Sequence, residues 1–247
     1  MKKFFVLMLF LSFLPGTLLL SAQTSQELLK AQKSGKTVFL VAYTSKGAEL
    51  DKAVAIAKSA NQKVPSATTV VTMNASDAGN KDLVTKFRIS GAPLPLILVL
   101  DKNGTAAGGI ILKEATAEKL VDMIPSPKTS ELLKGLADGK SVYIVVYKES
   151  MTSKKEIMNN CATACSKMKN TSITIQVNAD DKKETKLLRT LKYDNTATQP
   201  VTYVVNSSGQ LTDTYNGMTN VTSLIGSAQK VIKSSCCPGG SKTGVCK

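Results

Sequence analysis

Glu27 to Tyr43 reads ELLKAQKSGKTVFLVAY, and Glu131 to Tyr147 reads ELLKGLADGKSVYIVVY. Nine of these 17 positions are identical, where chance gives about one, so the chain carries a duplicated unit. The offset of 104 continues downstream, pairing Asn74-Ala75 with Asn178-Ala179, Leu83 with Leu187 and Arg88 with Lys192. It becomes 105 where Pro95 meets Pro200 and Gly104 meets Gly209, which one inserted residue explains.

Each copy predicts the same succession of elements. A short helix (Gln26 to Lys33; Ser130 to Ala137) precedes an unbroken apolar run (Val38 to Tyr43; Val142 to Tyr147), which suits a strand buried on both faces. A long helix follows (about Glu49 to Ala60; about Ser153 to Met168), then a second strand (Thr69 to Met73; Ser172 to Val177) and an amphipathic helix (Lys81 to Phe87; Glu184 to Leu191). A third strand (Leu96 to Leu100; Val201 to Val205) ends in the turns Asp101-Lys102-Asn103-Gly104 and Asn206-Ser207-Ser208-Gly209, whose Asn and Gly tolerate positive φ. A fourth strand and a closing helix (Ala115 to Met123; Val221 to Ile232) complete the unit, and Pro125-Ser126-Pro127 reads as the linker.

This order, with a proline opening the third strand and a hairpin glycine nine residues later, resembles the thioredoxin fold. The stretches that carry the resemblance are Pro95-Leu-Ile-Leu-Val-Leu-Asp-Lys-Asn-Gly104 and Pro200-Val-Thr-Tyr-Val-Val-Asn-Ser-Ser-Gly209. It implies an α/β chain of two tandem thioredoxin-like domains, each a central mixed sheet flanked by helices, spanning residues 24–124 and 129–234. It also implies that Leu94-Pro95 and Gln199-Pro200 are cis bonds beside the active-site loop. The family's chemistry uses a Cys-x-x-Cys at the start of the long helix, where the helix dipole lowers the thiol pKa. The corresponding loops here, Thr44 to Leu50 and Lys148 to Lys154, contain no cysteine. Pro95 and Pro200 therefore carry over only as fold residues and candidate peptide-contact residues.

Outward from the repeat, Lys2-Lys3, an apolar run from Phe4 to Leu14, Pro15-Gly16 and the small-residue end Ser21-Ala22-Gln23 form the pattern of a secretory signal peptide over residues 1–22. The apolar run stops about 9 residues short of the roughly 20 a membrane-spanning helix needs. The expected mature protein is periplasmic or secreted and has no transmembrane segment.

The 247-residue chain has a net charge of +14, of which +12 remains without Lys2 and Lys3, and Arg88 and Arg189 are the only arginines. Nucleic-acid readers favour arginine for bidentate contacts and aromatics for stacking. With no Trp and six Tyr, a nucleic-acid partner is not expected, and the lysine surface implies solubility and at most weak attraction to anionic surfaces. The absence of His excludes His-based triads, His-activated cysteines and His-ligated zinc.

Five cysteines remain to be placed. Cys161 and Cys165 lie four apart on one face of the second long helix, past the turn where its dipole could activate a thiol, and read as small buried side chains. Cys236, Cys237 and Cys246 lie in a tail, residues 235–247, whose Pro238-Gly239-Gly240 can turn the chain back on itself. In an exported protein that tail supports a local disulfide, a soft-metal site for zinc or copper, or an exchange-active disulfide. No cofactor is expected elsewhere. The sequence points to a non-catalytic protein that binds polypeptides or acts as a scaffold in envelope protein folding or redox homeostasis. Thiol exchange or metal handling by the tail is the alternative.

Overall fold

The unbroken runs of the two repeats become the second strand position of two four-stranded sheets, as their burial on both faces requires. The computed structural model of the chain describes residues 19–232, and the chain divides into two compact units with the break between Val121 and Asp122. The first unit contains α1 (Leu19–Lys33), β1 (Thr37–Tyr43), α2 (Ala48–Lys63), β2 (Thr68–Asn74), α3 (Lys81–Lys86), β3 (Leu96–Leu100), β4 (Ala106–Ile111) and α4 (Ala117–Asp122). The second contains α5 (Pro127–Ala137), β5 (Ser141–Tyr147), α6 (Lys154–Lys167), β6 (Ser172–Asn178), α7 (Thr185–Thr190), β7 (Val201–Val205), β8 (Leu211–Asn216) and α8 (Val221–Gln229).

The strand orders are β2-β1-β3-β4 and β6-β5-β7-β8. In the second unit β5 runs parallel to β6 and antiparallel to β7, and β7 is antiparallel to β8; in the first, β1 and β2 are parallel in the same register as β5 and β6. A mixed sheet in this order, with helices on both faces, is the thioredoxin-like arrangement, and the chain holds it twice.

Alternation along β5 sorts the second core into two layers. Val142, Ile144 and Val146 face one way, with Leu187 and Leu188 and the partly buried Leu132 and Leu136. Tyr143 and Val145 face the other, against Ile157, Cys161 and Ala164 of α6 and Leu224 and Ala228 of α8. The buried positions of α2 are Ala53, Ala57 and Ala60, and those of α6 are Ile157, Cys161 and Ala164. The 4,3 spacing is that of one helix stripe, repeated at the same offset of 104.

The hairpin turns are also matched. Asp101 Oδ1 accepts the amides of Asn103 and Thr105 at 2.9 and 2.8 Å, while Asn206 Oδ1 accepts those of Ser208 and Gln210 at 3.1 and 2.9 Å. Gly104 and Gly209 close these turns at φ +73° and +79°, where any other residue would be strained.

Three expectations are corrected. Pro125-Ser126-Pro127 is not all linker: Ser126 is the N-cap of α5, its side chain accepting the Thr129 amide, and Pro127 is the first helical residue, a position where its missing N–H costs nothing. Helix α1 is not confined to the residues from Gln26 onward: the chain is already helical at Leu19, the first described residue. Finally, Leu94-Pro95 is the one cis bond among the described residues, and Gln199-Pro200 is trans. One residue more separates Lys192 from Pro200 than separates Arg88 from Pro95. The Gln199 side chain lies over Gly217, where a Cβ would come within 1.9 Å of its Oε1; the same place in the first copy holds Leu112.

Candidate functional site: a groove beside Pro95

Strand β1 ends at Tyr43 and α2 starts at Ala48, so the intervening loop stands where the thioredoxin resemblance would place a reactive cysteine. Gly47 caps α2 with φ +148° and offers no side chain to it. Asp51 N–H to Gly47 O, at 3.1 Å, is the first helical bond, which leaves the amides of Ala48, Glu49 and Leu50 without helical acceptors. Glu49 and Asp51 place two carboxylates in this first turn, where they answer the helix dipole.

Across from this turn lies the cis Leu94-Pro95 pair. Pro95 is buried and Leu94 half-buried, and the Pro95 carbonyl accepts the Leu112 amide at 3.2 Å. Among the described residues neither the N–H nor the carbonyl of Leu94 enters a backbone hydrogen bond. Between the two walls is a groove of about 210 Å³, lined by Tyr43, Ser45, Gly47, Leu50, Leu94 and Pro95 among others. It offers backbone polar groups, the hydroxyl-bearing Tyr43, Thr44 and Ser45, and apolar sides. It holds no thiol and no imidazole, so it can bind but has no nucleophile of the thioredoxin kind.

The second copy treats the same place differently. Met151 stands 104 residues after Gly47 and is buried at 5% exposure. Its amide donates to Lys148 O at 3.0 Å and its sulfur accepts the Lys148 amide at 3.3 Å, so the side chain folds back into its own turn. Lys148 Nζ reaches Asn195 O, in the segment leading to Pro200, at 2.5 Å. Lys154 pairs with Glu149 and lies 5.3 Å from the centre of the Tyr147 ring. A glycine leaves the first loop open; a methionine and a lysine tie fill the second.

The remaining predicted site residues fall elsewhere. Cys161 and Cys165 are both free thiols, remote in sequence from the loop and on the core side of α6. Cys161 is fully buried at the place where α2 has Ala57. Burial, with a smaller contribution from Cys165, pushes its thiol up to about 12, the opposite of an activated nucleophile. Cys165 is half-buried, its Sγ 3.5 Å from Thr174 Oγ1. Cys236, Cys237 and Cys246 lie outside the described residues. Among the described residues no group of three or more Cys, Asp or Glu is placed to hold a metal ion, and no helix is long and apolar enough to cross a membrane.

Sequence reading missed Leu94 and the contrast between Gly47 and Met151, although the latter was visible as one apolar residue in a polar loop opposite a glycine in the repeat. It also missed a buttress behind the second sheet: Tyr215 Oη lies 2.6 Å from Ser227 Oγ, which donates to Asp213 Oδ2 at 2.8 Å. Ser227 is buried, and these bonds fix α8 to β8.

No family model matches the chain, and no curated protein does. Solved structures of similar arrangement include the first two thioredoxin domains of Saccharomyces cerevisiae Eps1p, at 12% identity over 84% of this chain and 96% of that one, with a TM-score of 0.30. The same region of Naumovozyma dairenensis Eps1p gives 10% over 85% and 96%, with a TM-score of 0.31. Human ERp44 in its zinc-bound form gives 10% over 79% and 55%, with a TM-score of 0.32. What makes each unit here thioredoxin-like is its own strand order and helix placement.

Proposed function

We propose that this chain is an exported, non-catalytic thioredoxin-like protein that binds unfolded or extended polypeptide in the groove beside Pro95, and that its second domain serves as a scaffold. The observation that carries the reading is that, among the described residues, the N–H and carbonyl of Leu94 enter no backbone hydrogen bond in the wall of an open groove. A peptide lying along Leu94 would take both groups in a short β-type pairing, as extended ligands do at exposed strand edges. The neighbouring Leu50 and Pro95 would take its apolar side chains. The lysine surface keeps such a protein soluble while it holds an apolar client.

Affinity for a permanently unfolded chain, such as reduced and alkylated α-lactalbumin, tests this. Ser45→Trp fills the groove from an exposed loop position and weakens binding by tenfold or more, about 1.4 kcal/mol, while Glu149→Trp at the same place in the second copy leaves it unchanged. Equal effects, or none, contradict the proposal. The thiol and metal reading would use the tail, with zinc or copper(I) as the only cofactor. Binding that disappears when Cys236, Cys237 and Cys246 are replaced by Ser favours that reading over this one.

A further inference from the structure

At the position where α5 of the second copy starts, the first copy is already helical, and the difference falls on one buried residue. In the second copy Glu184, 2% exposed, serves the start of α5: its Oε1 accepts the Lys128 amide at 3.1 Å and its Oε2 accepts the Ser126 hydroxyl at 2.5 Å. Asn80 occupies that place in the first copy, 104 residues earlier, and is also 2% exposed. Its Nδ2 donates to Asn74 O at 2.9 Å. Its Oδ1 is buried with no hydrogen-bond partner among the described residues, a costly state for a side-chain carbonyl. The turn that carries Asn80, residues 78–80, packs against α1.

The same offset maps Ser126, Pro127 and Lys128 onto Ala22, Gln23 and Thr24. In the second copy the helix begins there. In the first it runs through without a break from Leu19, and the Thr24 amide is used up inside the helix. The junction where the signal pattern ends is thus the position at which the duplicated unit starts its helix.

We propose that Asn80 is the built-in acceptor for the helix end created when the chain is cut between Ala22 and Gln23. This rests on the export reading above. Hydrolysis of that amide by an export-linked peptidase consumes one water and leaves a carboxylate on Ala22 and an ammonium on Gln23. It also removes the i−4 carbonyls of Leu20, Ser21 and Ala22 from the amides of Thr24, Ser25 and Gln26. Asn80 Oδ1 then takes the Thr24 amide, as Glu184 takes that of Lys128, and two unsatisfied groups satisfy each other. The new helix still has 11 residues, Gln23 to Lys33. Processing therefore completes the first domain rather than merely releasing it.

The test expresses the full chain in an exporting bacterial host, recovers the product and measures its intact mass and the hydrogen exchange of the Thr24 amide. The expected product begins at Gln23, with Thr24 exchanging at least tenfold more slowly than in the same product carrying Asn80→Ala. That variant lowers the first domain's unfolding midpoint by about 4–8 °C, and Asn80→Glu, which copies the second unit, restores the protection. In a chain begun at Leu19, where Thr24 keeps its helical acceptor, Asn80→Ala leaves its exchange unchanged. A product uncut at this bond overturns both the proposal and the export reading. A product that begins at Gln23 but has an unprotected Thr24 amide, or equal effects of Asn80→Ala in both chain lengths, overturns the proposal alone.

Discussion

Gly47 and Met151 occupy the same step of a duplicated loop, the first exposed and the second buried. The glycine holds a backbone angle that side chains rarely adopt and leaves the N-terminus of α2 facing an open groove. The methionine is buried in its own turn and the adjoining lysine is tied to Asn195. The entrance to the third strand follows suit, cis at Pro95 and trans at Pro200. The two copies share their layers but not this loop, and the proposed function assigns binding to the open loop and support to the filled one.

The largest effect should come from removing the plug. Met151→Ala deletes a buried side chain and should destabilise the second domain by about 2–3 kcal/mol, seen as a lower denaturant midpoint with an unchanged slope. A loss under about 0.5 kcal/mol would mean that the methionine fills nothing. Glu184→Ala comes next. It strands the Lys128 amide and the Ser126 hydroxyl at the start of α5 and should cost about 2 kcal/mol; Glu184→Gln, which still accepts, should recover part of this.

A smaller, pH-dependent effect separates the copies at Cys161 and Ala57. The Cys161 thiol has an ordinary value of 9.0 and is pushed up to about 12 in the fold. Its contribution to stability is therefore complete below pH 9 and is lost as pH rises toward 12, at up to about 1.4 kcal/mol per pH unit. Tyr143 adds to the loss above pH 10, since burial raises its phenol from an ordinary 10.0. Cys161→Ala should flatten the alkaline decline of the second domain between pH 9 and 10, and an unchanged slope would show that the thiol is not its source. The smallest effect is expected at the exposed Lys63–Glu118 pair, where solvent screens the attraction and Glu118→Gln should leave the first domain's unfolding midpoint unchanged.

Much of this was legible in the residues. Unbroken Val, Ile and Leu runs can only be strands covered on both sides, and a 104-residue repeat fixes their order twice. The spacing of Cys161 and Cys165 marked both as small buried side chains, which holds for Cys161, while Cys165 is half-buried. The isomer at Pro200 was not legible, because the two prolines open matching strands in the repeat and the sequence pattern does not separate them. That helix α1 runs through Ala22 and Gln23 was not legible either, since the signal pattern there suggested a junction rather than a helix. Leu94 escaped because its role lies in backbone groups, which every residue has.

The central claim is that the first loop binds and the second does not. Its most direct test is to titrate the mature, isotope-labelled protein with reduced and alkylated α-lactalbumin and follow the backbone amide resonances. The account predicts that Ser45, Gly47, Ala48 and Leu94 shift together and saturably, while Lys148 to Ser153 stay in place. Shifts confined to Lys148 to Ser153, or shifts that vanish when Cys236, Cys237 and Cys246 are replaced by Ser, would contradict it.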